Sequence, residues 1–516
     1  MRISQARHRG SEVPKFCSQF LGASEPLCVN LSVPRGRNKF YRGLLALGVV
    51  ALAFVATGHG IELRASQQSS PPPRAGEAAF RSLYKELVEI NTTLSAGSCT
   101  AAANAMKAHL AKAGYPESDL HIIVPPDRPK DGNLIALLPG TDASLKPVML
   151  LAHVDVVEAK REDWARDPFK LTEEGGYFYA RGASDDKAMA AIFVDSMVRF
   201  KQEGYRPKRG IKLALTCGEE TPNTFNGVSY LLEHNRPLMD AAFAINEGGG
   251  GRYDGNTGKY QYNAIQAGEK LYQDFTLETT NQGGHSARPT PDNAIYQMSQ
   301  ALARIQAYEF PIEFNDATRG YLAKFGDIVG GAQGANMKAV AATGDAAAVA
   351  RLKQDASING MLHTTCIATM IDGGHALNAL PQHVKANVNC RIFPGHQPEE
   401  IRQTLIAAIG DPGVKVAFQA PPEKAGPPPT LTPDILGPVE KLTAEMFPGV
   451  PVVPAQSAGA TDGRFLTAAG VPTYGVSGIF SDGATTNAHG LNERMRVQSL
   501  MEGREFLHRL TKLYAQ

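Results

Sequence analysis

A continuous apolar run that stops on a histidine and a carboxylate constrains this chain more than any other feature. The stretch is Val148-Met-Leu-Leu-Ala-His153-Val-Asp155. Four to eight apolar residues in a row fit a strand covered on both faces, and open α/β sheets keep their chemistry at the carboxyl ends of such strands. In an extended chain His153 and Asp155 share a side. One can then bind a metal while the other orients it. A His-x-Asp at a strand end is by itself more often polar capping, so its weight comes from the acids elsewhere in the chain.

Three further apolar runs end in acid. Tyr177 to Arg181 leads into Gly-Ala-Ser-Asp185-Asp186, just ahead of a helical pattern from Lys187 to Phe200 that Gly204 stops. Ile211 to Thr216 runs through Cys217 and Gly218 into Glu219 and Glu220, and Ala241 to Asn246 ends at Glu247 and four glycines. Strands alternating with helices predict an α/β, doubly wound mixed sheet, with each strand end contributing His, Asp or Glu to one crevice. That many carboxylates at one rim repel unless cations neutralise them. A ligand set of His, Asp and Glu without thiolate suits zinc, cobalt or manganese, and a shared Asp can bridge two ions. The Glu219-Glu220 pair divides into two tasks: one carboxylate binds metal, and its neighbour takes a proton from the water between the ions.

Residues 1–43 carry eight Lys or Arg against Glu12 and Glu25 and precede the fourteen-residue apolar run Leu44 to Thr57. Such a run is too short to span a bilayer comfortably and suits the core of an export signal. The expectation is an export signal or anchor over 1–66, membrane-bound only if the segment is retained. A Pro-rich tether follows over 67–77. Without the basic flank the overall charge of +1 becomes about −5, which gives no footing for nucleic acid. Of six cysteines, Cys17 and Cys28 lie in this leader; Cys99, Cys217, Cys366 and Cys390 show no close paired spacing. Cys217 and Cys390 lie in strand-like runs and read as buried thiols, with a disulfide left open in an oxidising compartment. Trp164, the only tryptophan, reads as a packed plug.

The length beyond the tether predicts more than one domain. A catalytic part over 78–262 resumes over 423–516. Between them, 263–422 reads as a small α+β insert: strands at Tyr272 to Thr280, Thr365 to Ile371 and Val384 to Phe393, helices at Asn293 to Tyr308 and Pro398 to Ile409. Phe310 to Gly360 is an enlarged connection with an Ala-rich helical segment, Gly344 to Gln354. His285, after two glycines, is presented where an imidazole can stabilise an oxyanion. Asn378 and Arg391 can together grip a substrate carboxylate, which the arginine fork matches, and Arg464 in the turn Gly459 to Arg464 is a further substrate contact.

Six motifs in order, His153-Val-Asp155, Gly182-Ala-Ser-Asp185-Asp186-Lys187, Gly218-Glu219-Glu220, Asn246-Glu247-Gly248, Gly284-His285-Ser286 and Ala488-His489-Gly490, resemble those of a family of zinc-dependent exopeptidases. It includes glutamate carboxypeptidase, carboxypeptidase S, aminoacylase, acetylornithine deacetylase and succinyl-diaminopimelate desuccinylase. The likeness runs from Ala78 to the C-terminus. It implies two Zn2+, with Co2+ or Mn2+ as substitutes: Asp185 bridges, His153 and Glu247 complete one site, Glu220 and His489 the other. Glu219 is then the general base, Asp155 orients His153, and the Asp185-Asp186 peptide is cis. The insert is implied to be a ferredoxin-like lid or dimerisation domain that brings His285 to the transition state, in relatives often across a homodimer. Glu158 and Ala188 depart from the family pattern at positions that supply no ligand.

The reaction expected is hydrolysis of an amide in a substrate with a free carboxylate. A carboxypeptidase on short peptides comes first, an N-acyl amino acid deacylase with the same machinery second. A metal-binding peptide receptor without turnover is the reading from another class, and Glu219 speaks against it.

Overall fold

The computed structural model describes residues 74–516 apart from 222–223 and 484–485. The expected export segment 1–66 lies outside them, as do Cys17, Cys28 and the tether before residue 74. No helix of the described residues is long and apolar enough to cross a membrane.

All six residues of Val148–His153 are buried, which requires cover on both faces. The strand lies in a ten-stranded sheet between Ile211–Thr216 and Phe243–Asn246, parallel to both. Alternation divides its side chains between two cores. Val148, Leu150 and Ala152 join a large cluster with helices Glu77–Glu89, Cys99–Lys112, Lys187–Gln202 and Val497–Tyr514. Met149 and Leu151 face the other way, against Gly227–His234 and Gly463–Ala468. Each such leucine contributes about 1.5–3 kcal/mol by burial. The sheet is therefore doubly wound, and mixed because Asn133–Leu138 runs antiparallel to Ile211–Thr216.

Tyr177–Tyr179 does not belong to this sheet. It pairs with Thr172–Glu174 and Arg494–Arg496 in a separate three-stranded sheet. Only its middle residue, Phe178, is buried, so one face packs and the other stays wet, unlike the central strands. The expectation of four acid-ended strands side by side thus counted one too many.

The insert is a four-stranded antiparallel sheet, ordered Thr365–Gly373, His383–Ile392, Leu271–Thr280, Lys415–Phe418. Helices Ala294–Ala307 and Pro398–Ile409 share its core. The boundary expected at 263 falls inside Tyr260–Glu269, a strand of the large sheet; the chain leaves that sheet at Lys270. The enlarged connection forms helices Asp316–Val329, Gly331–Thr343, Ala346–Leu352 and Ala356–Met361 around a core of its own. Its first two helices touch at Gly326 and Gly334, where a Cβ on Gly334 would lie 2.2 Å from the Gly326 carbonyl oxygen. It docks on the catalytic sheet. Gly320 abuts Pro454 of the Val452–Ser457 strand, and Asn315 donates to Gln456 at 2.6 Å.

The thiol reading of Cys217 and Cys390 is corrected: disulfides join Cys99 to Cys217 and Cys366 to Cys390. Their sequence separations of 118 and 24 carry no spacing signal; the fold alone brings them together. Trp164 is buried, beneath the Arg181 guanidinium at 5.0 Å.

Candidate metal centre

Strand register assembles the site. The parallel pairing runs from Val148 opposite Ile211 to His153 opposite Thr216, so the residues beyond them leave the sheet at one rim. The buried Asp155 carboxylate accepts the main-chain N–H of Glu219 at 3.3 Å and of Glu220 at 3.0 Å, stapling the turn that carries both acids. His153 Nδ1 lies 3.0 Å from the main-chain oxygen of Asp155 and 3.7 Å from its carboxylate. Asp155 thus orients His153 chiefly through its backbone, and Nε2 faces the site.

The Asp185 carboxylate stands between two imidazoles. One oxygen is 3.2 Å from His153 Nε2 and the other 3.2 Å from His489 Nε2. Glu220 approaches His489 Nε2 to 2.9 Å, and Glu247 lies 3.8 Å from His153 Nε2. Ligand atoms of His153, Asp185 and Glu220 fall within 4.8 Å of one another, and so do those of His153, Glu219 and Glu247. The Asp185-Asp186 peptide is cis. His489 has a φ of 62°, a left-handed conformation that costs a residue with a Cβ about 1–2 kcal/mol.

Burial pushes the Glu219 carboxyl up to about 8, helped by the nearby Asp462 and Glu220 and opposed by His153. Glu247 is driven well above the carboxylate range, first by burial and then by Asp185, Asp186 and Glu219. Burial alone would depress His153, but Glu247 and Asp185 outweigh it and raise the imidazole. Hydrogen bonding to Asp185 and Glu220 lifts His489 to about 10. For Asp185 burial works upward, yet the two imidazoles hold the carboxyl below its usual range. The cluster therefore needs positive charge, which protons supply in the absence of cations. An oxygen and nitrogen donor set without thiolate, with one carboxylate offering each oxygen to a different imidazole, fits a divalent-cation site.

Residues 149–513 match the model of Peptidase family M20/M25/M40. The chain belongs to this family. It is accordingly a metal-dependent amide hydrolase. Among family M20 relatives, N-fatty-acyl-amino acid synthase/hydrolase PM20D1 of Homo sapiens is 27% identical over 385 residues, 72% of this chain and 74% of its own. Aminoacylase-1B of Rattus norvegicus is 24% identical over 385 residues, 73% of this chain and 82% of its own. The M20 family metallo-carboxypeptidase Sso-CP2 from Sulfolobus solfataricus shares the fold. Its TM-score is 0.62 at 18% identity, over 84% of this chain and 99% of that one.

The remaining residues singled out in this M20 chain make no hydrogen bond or ion pair with the cluster among the described residues, although Arg464 is near enough to pull the Glu219 carboxyl downward. His285 is exposed on a two-residue ladder with Ala379, and its Nδ1 accepts the Ala287 N–H at 3.1 Å. Exposed Asn378 accepts the Ser286 N–H at 3.0 Å through its main chain. No hydrogen bond or ion pair among the described residues joins either to the cluster. Arg391 stacks 4.6 Å over Tyr272 and donates to the Ala458 carbonyl at 3.3 Å. Asn378 precedes the His383 end of the His383–Ile392 strand and Arg391 sits near the other. Eight residues at about 3.3 Å each put roughly 26 Å between these ends. No hydrogen bond among the described residues joins Asn378 to Arg391. Arg464 is committed to Glu423 at 2.7 Å and to the Thr461 carbonyl at 2.8 Å, and it stands beside Asp462 and Glu269.

Two features escaped the sequence. Asp462 is buried, accepts the Thr216 hydroxyl at 2.9 Å and bears on Glu219; its place in the turn before Arg464 was the available signal. Arg181 and Glu493 form a buried ion pair at 2.7 Å, four residues before Asp185 and four after His489.

Proposed function

We propose that this chain hydrolyses the amide bond of N-acyl amino acids at a pair of zinc ions held by His153, Asp185, Glu220, Glu247 and His489. The observation that carries the two-ion reading is Asp185, whose two oxygens each sit 3.2 Å from a different imidazole. When bound, the ions supply Lewis acidity toward the scissile carbonyl and lower the pKa of attacking water; Co2+ or Mn2+ suits the same donors. Glu219 takes the proton of that water and returns it to the leaving nitrogen. Its burial beside Asp462 favours holding the proton between the two transfers. Asp155 keeps Glu219 in place through the two main-chain hydrogen bonds it accepts.

Relatives named for N-acyl amino acid chemistry cover over two thirds of both chains, which supports the deacylase over the carboxypeptidase first expected. The carboxypeptidase reading leaned on the export signal and on a clamp by Asn378 and Arg391, residues that no hydrogen bond among the described residues joins. A homodimer through the insert is proposed with it. The Thr365–Gly373 strand is a sheet edge whose Ile367, Met370 and Ile371 are 64%, 72% and 58% exposed, and a second copy can cover it while supplying His285. Export is proposed from the basic flank and apolar run, and the pairing of all four described cysteines supports it. Zinc-loaded protein incubated with N-acyl amino acids and with short peptides, read by mass spectrometry, tests the reading. Loss of an acyl group is expected; loss of a C-terminal residue alone makes it a carboxypeptidase, and no loss removes the hydrolase.

A further inference from the structure

We infer that the buried Arg181–Glu493 pair is a positioning device that fixes Asp185 against His489 and thereby sets metal affinity. The inference rests on the metal reading above. Glu493 is fully buried, and its carboxylate accepts four donors, all from the segment leading to Asp185. One oxygen takes the main-chain N–H of Ser184 at 2.7 Å and of Asp185 at 3.0 Å. The other takes the Gly182 N–H at 3.0 Å and Arg181 Nη1 at 2.7 Å. Arg181 in turn reaches into the segment that carries His489. Its Nη2 donates to the Gly490 carbonyl at 3.0 Å and lies 3.4 Å from that of His489.

Two segments three hundred residues apart are thus tied at their base by one ion pair and meet again where Asp185 faces His489 at 3.2 Å. Within the His489 segment Asn487 donates to the Leu491 carbonyl at 2.9 Å and its own carbonyl accepts the Gly490 N–H at 2.8 Å, and Arg181 adds the tie to the Asp185 side. Asn487, His489 and Asn492 all have positive φ, at 52°, 62° and 55°. Non-glycine residues persist there only where their surroundings over-determine them. Stability alone does not account for the pair, because desolvating two charges consumes most of what their attraction returns. What an apolar pair cannot replace is the set of four donors directed at one carboxylate and the two carbonyls gathered by one guanidinium. Glu493 and Arg181 therefore act through Asp185 and His489 without touching substrate.

Glu493→Gln keeps the shape but presents an amide NH2 to groups that donate. Metal retention is read by dialysis against graded zinc buffers, the visible spectrum of the Co2+-loaded protein reports ligand geometry, and melting of the chelated protein reports stability. Zinc retention 10–100-fold weaker than wild type is expected, with an altered Co2+ spectrum, lowered kcat and little change in KM. Arg181→Lys, which keeps the cation but cannot gather both carbonyls, is expected to act in the same direction. It decides the matter if Glu493→Gln does not fold. A lower melting temperature of the chelated protein with wild-type zinc affinity and Co2+ spectrum overturns the inference. If the wild-type protein itself retains no divalent metal, the metal reading fails and the inference with it, a result the wild-type control separates from the first.

Discussion

Chelating the metal at neutral pH exchanges cations for protons, and the number exchanged follows from the charges around the cluster. In the metal-free protein Glu219 is held at about 8 and His489 at about 10, while His153 and Glu247 are raised. At pH 7 Glu219 is then roughly nine-tenths protonated and His489 carries essentially a full proton, while His153 and Glu247 hold protons more tightly than such groups do in water. Ligands bind metal only when deprotonated, so His489 releases about one proton on loading and Glu219 a second if it is to serve as base, with any proton held at His153 or Glu247 adding to these. Apparent affinity should accordingly fall by at least about one decade for each pH unit of acidification below neutrality. Zinc titration by calorimetry in two buffers of different ionisation enthalpy counts the protons directly. Release of fewer than one proton at pH 7, or affinity independent of pH between 6 and 8, refutes the reasoning.

The same raised groups set the stability of the chelated protein. Glu219 rises from an ordinary 4.5 to about 8, so its contribution is fully present below 4.5 and lost as pH climbs toward 8; thermal melts should fall over that window and recover with zinc. Glu219→Ala should retain metal and lose about 10²–10⁴-fold in kcat, and full activity in that variant removes it from the mechanism. Asp155→Asn, which disturbs the acceptor of two main-chain N–H groups, should lower kcat about 10–100-fold; unchanged turnover shows that the turn holds without it. Cys99→Ser opens a bridge spanning 118 residues and ending two residues before Glu219. About 2–5 kcal/mol should be lost in urea unfolding, and a loss below about 0.5 kcal/mol means the bridge adds nothing.

Runs with a single period were legible. Ile211–Thr216, apolar but for Lys212 and its closing threonine, is a fully buried strand with the bounds the sequence suggests. So were acids at strand ends, because burial followed abruptly by charge is a local signal. What local pattern cannot tell is the partner. Tyr177–Tyr179 alternates like any strand, yet it joins a small outer sheet. The Arg181–Glu493 pair looks like two surface charges until the fold buries them.

The helical connection that begins and ends in the small domain rests on the catalytic sheet, with Gln456 also donating to the Met361 carbonyl at 3.2 Å. It works as a strut between the small domain and that sheet. Any rocking of the small domain has to shear or carry these helices, and so has to break or drag along the contacts that Asn315 and Gly320 make with Gln456 and Pro454.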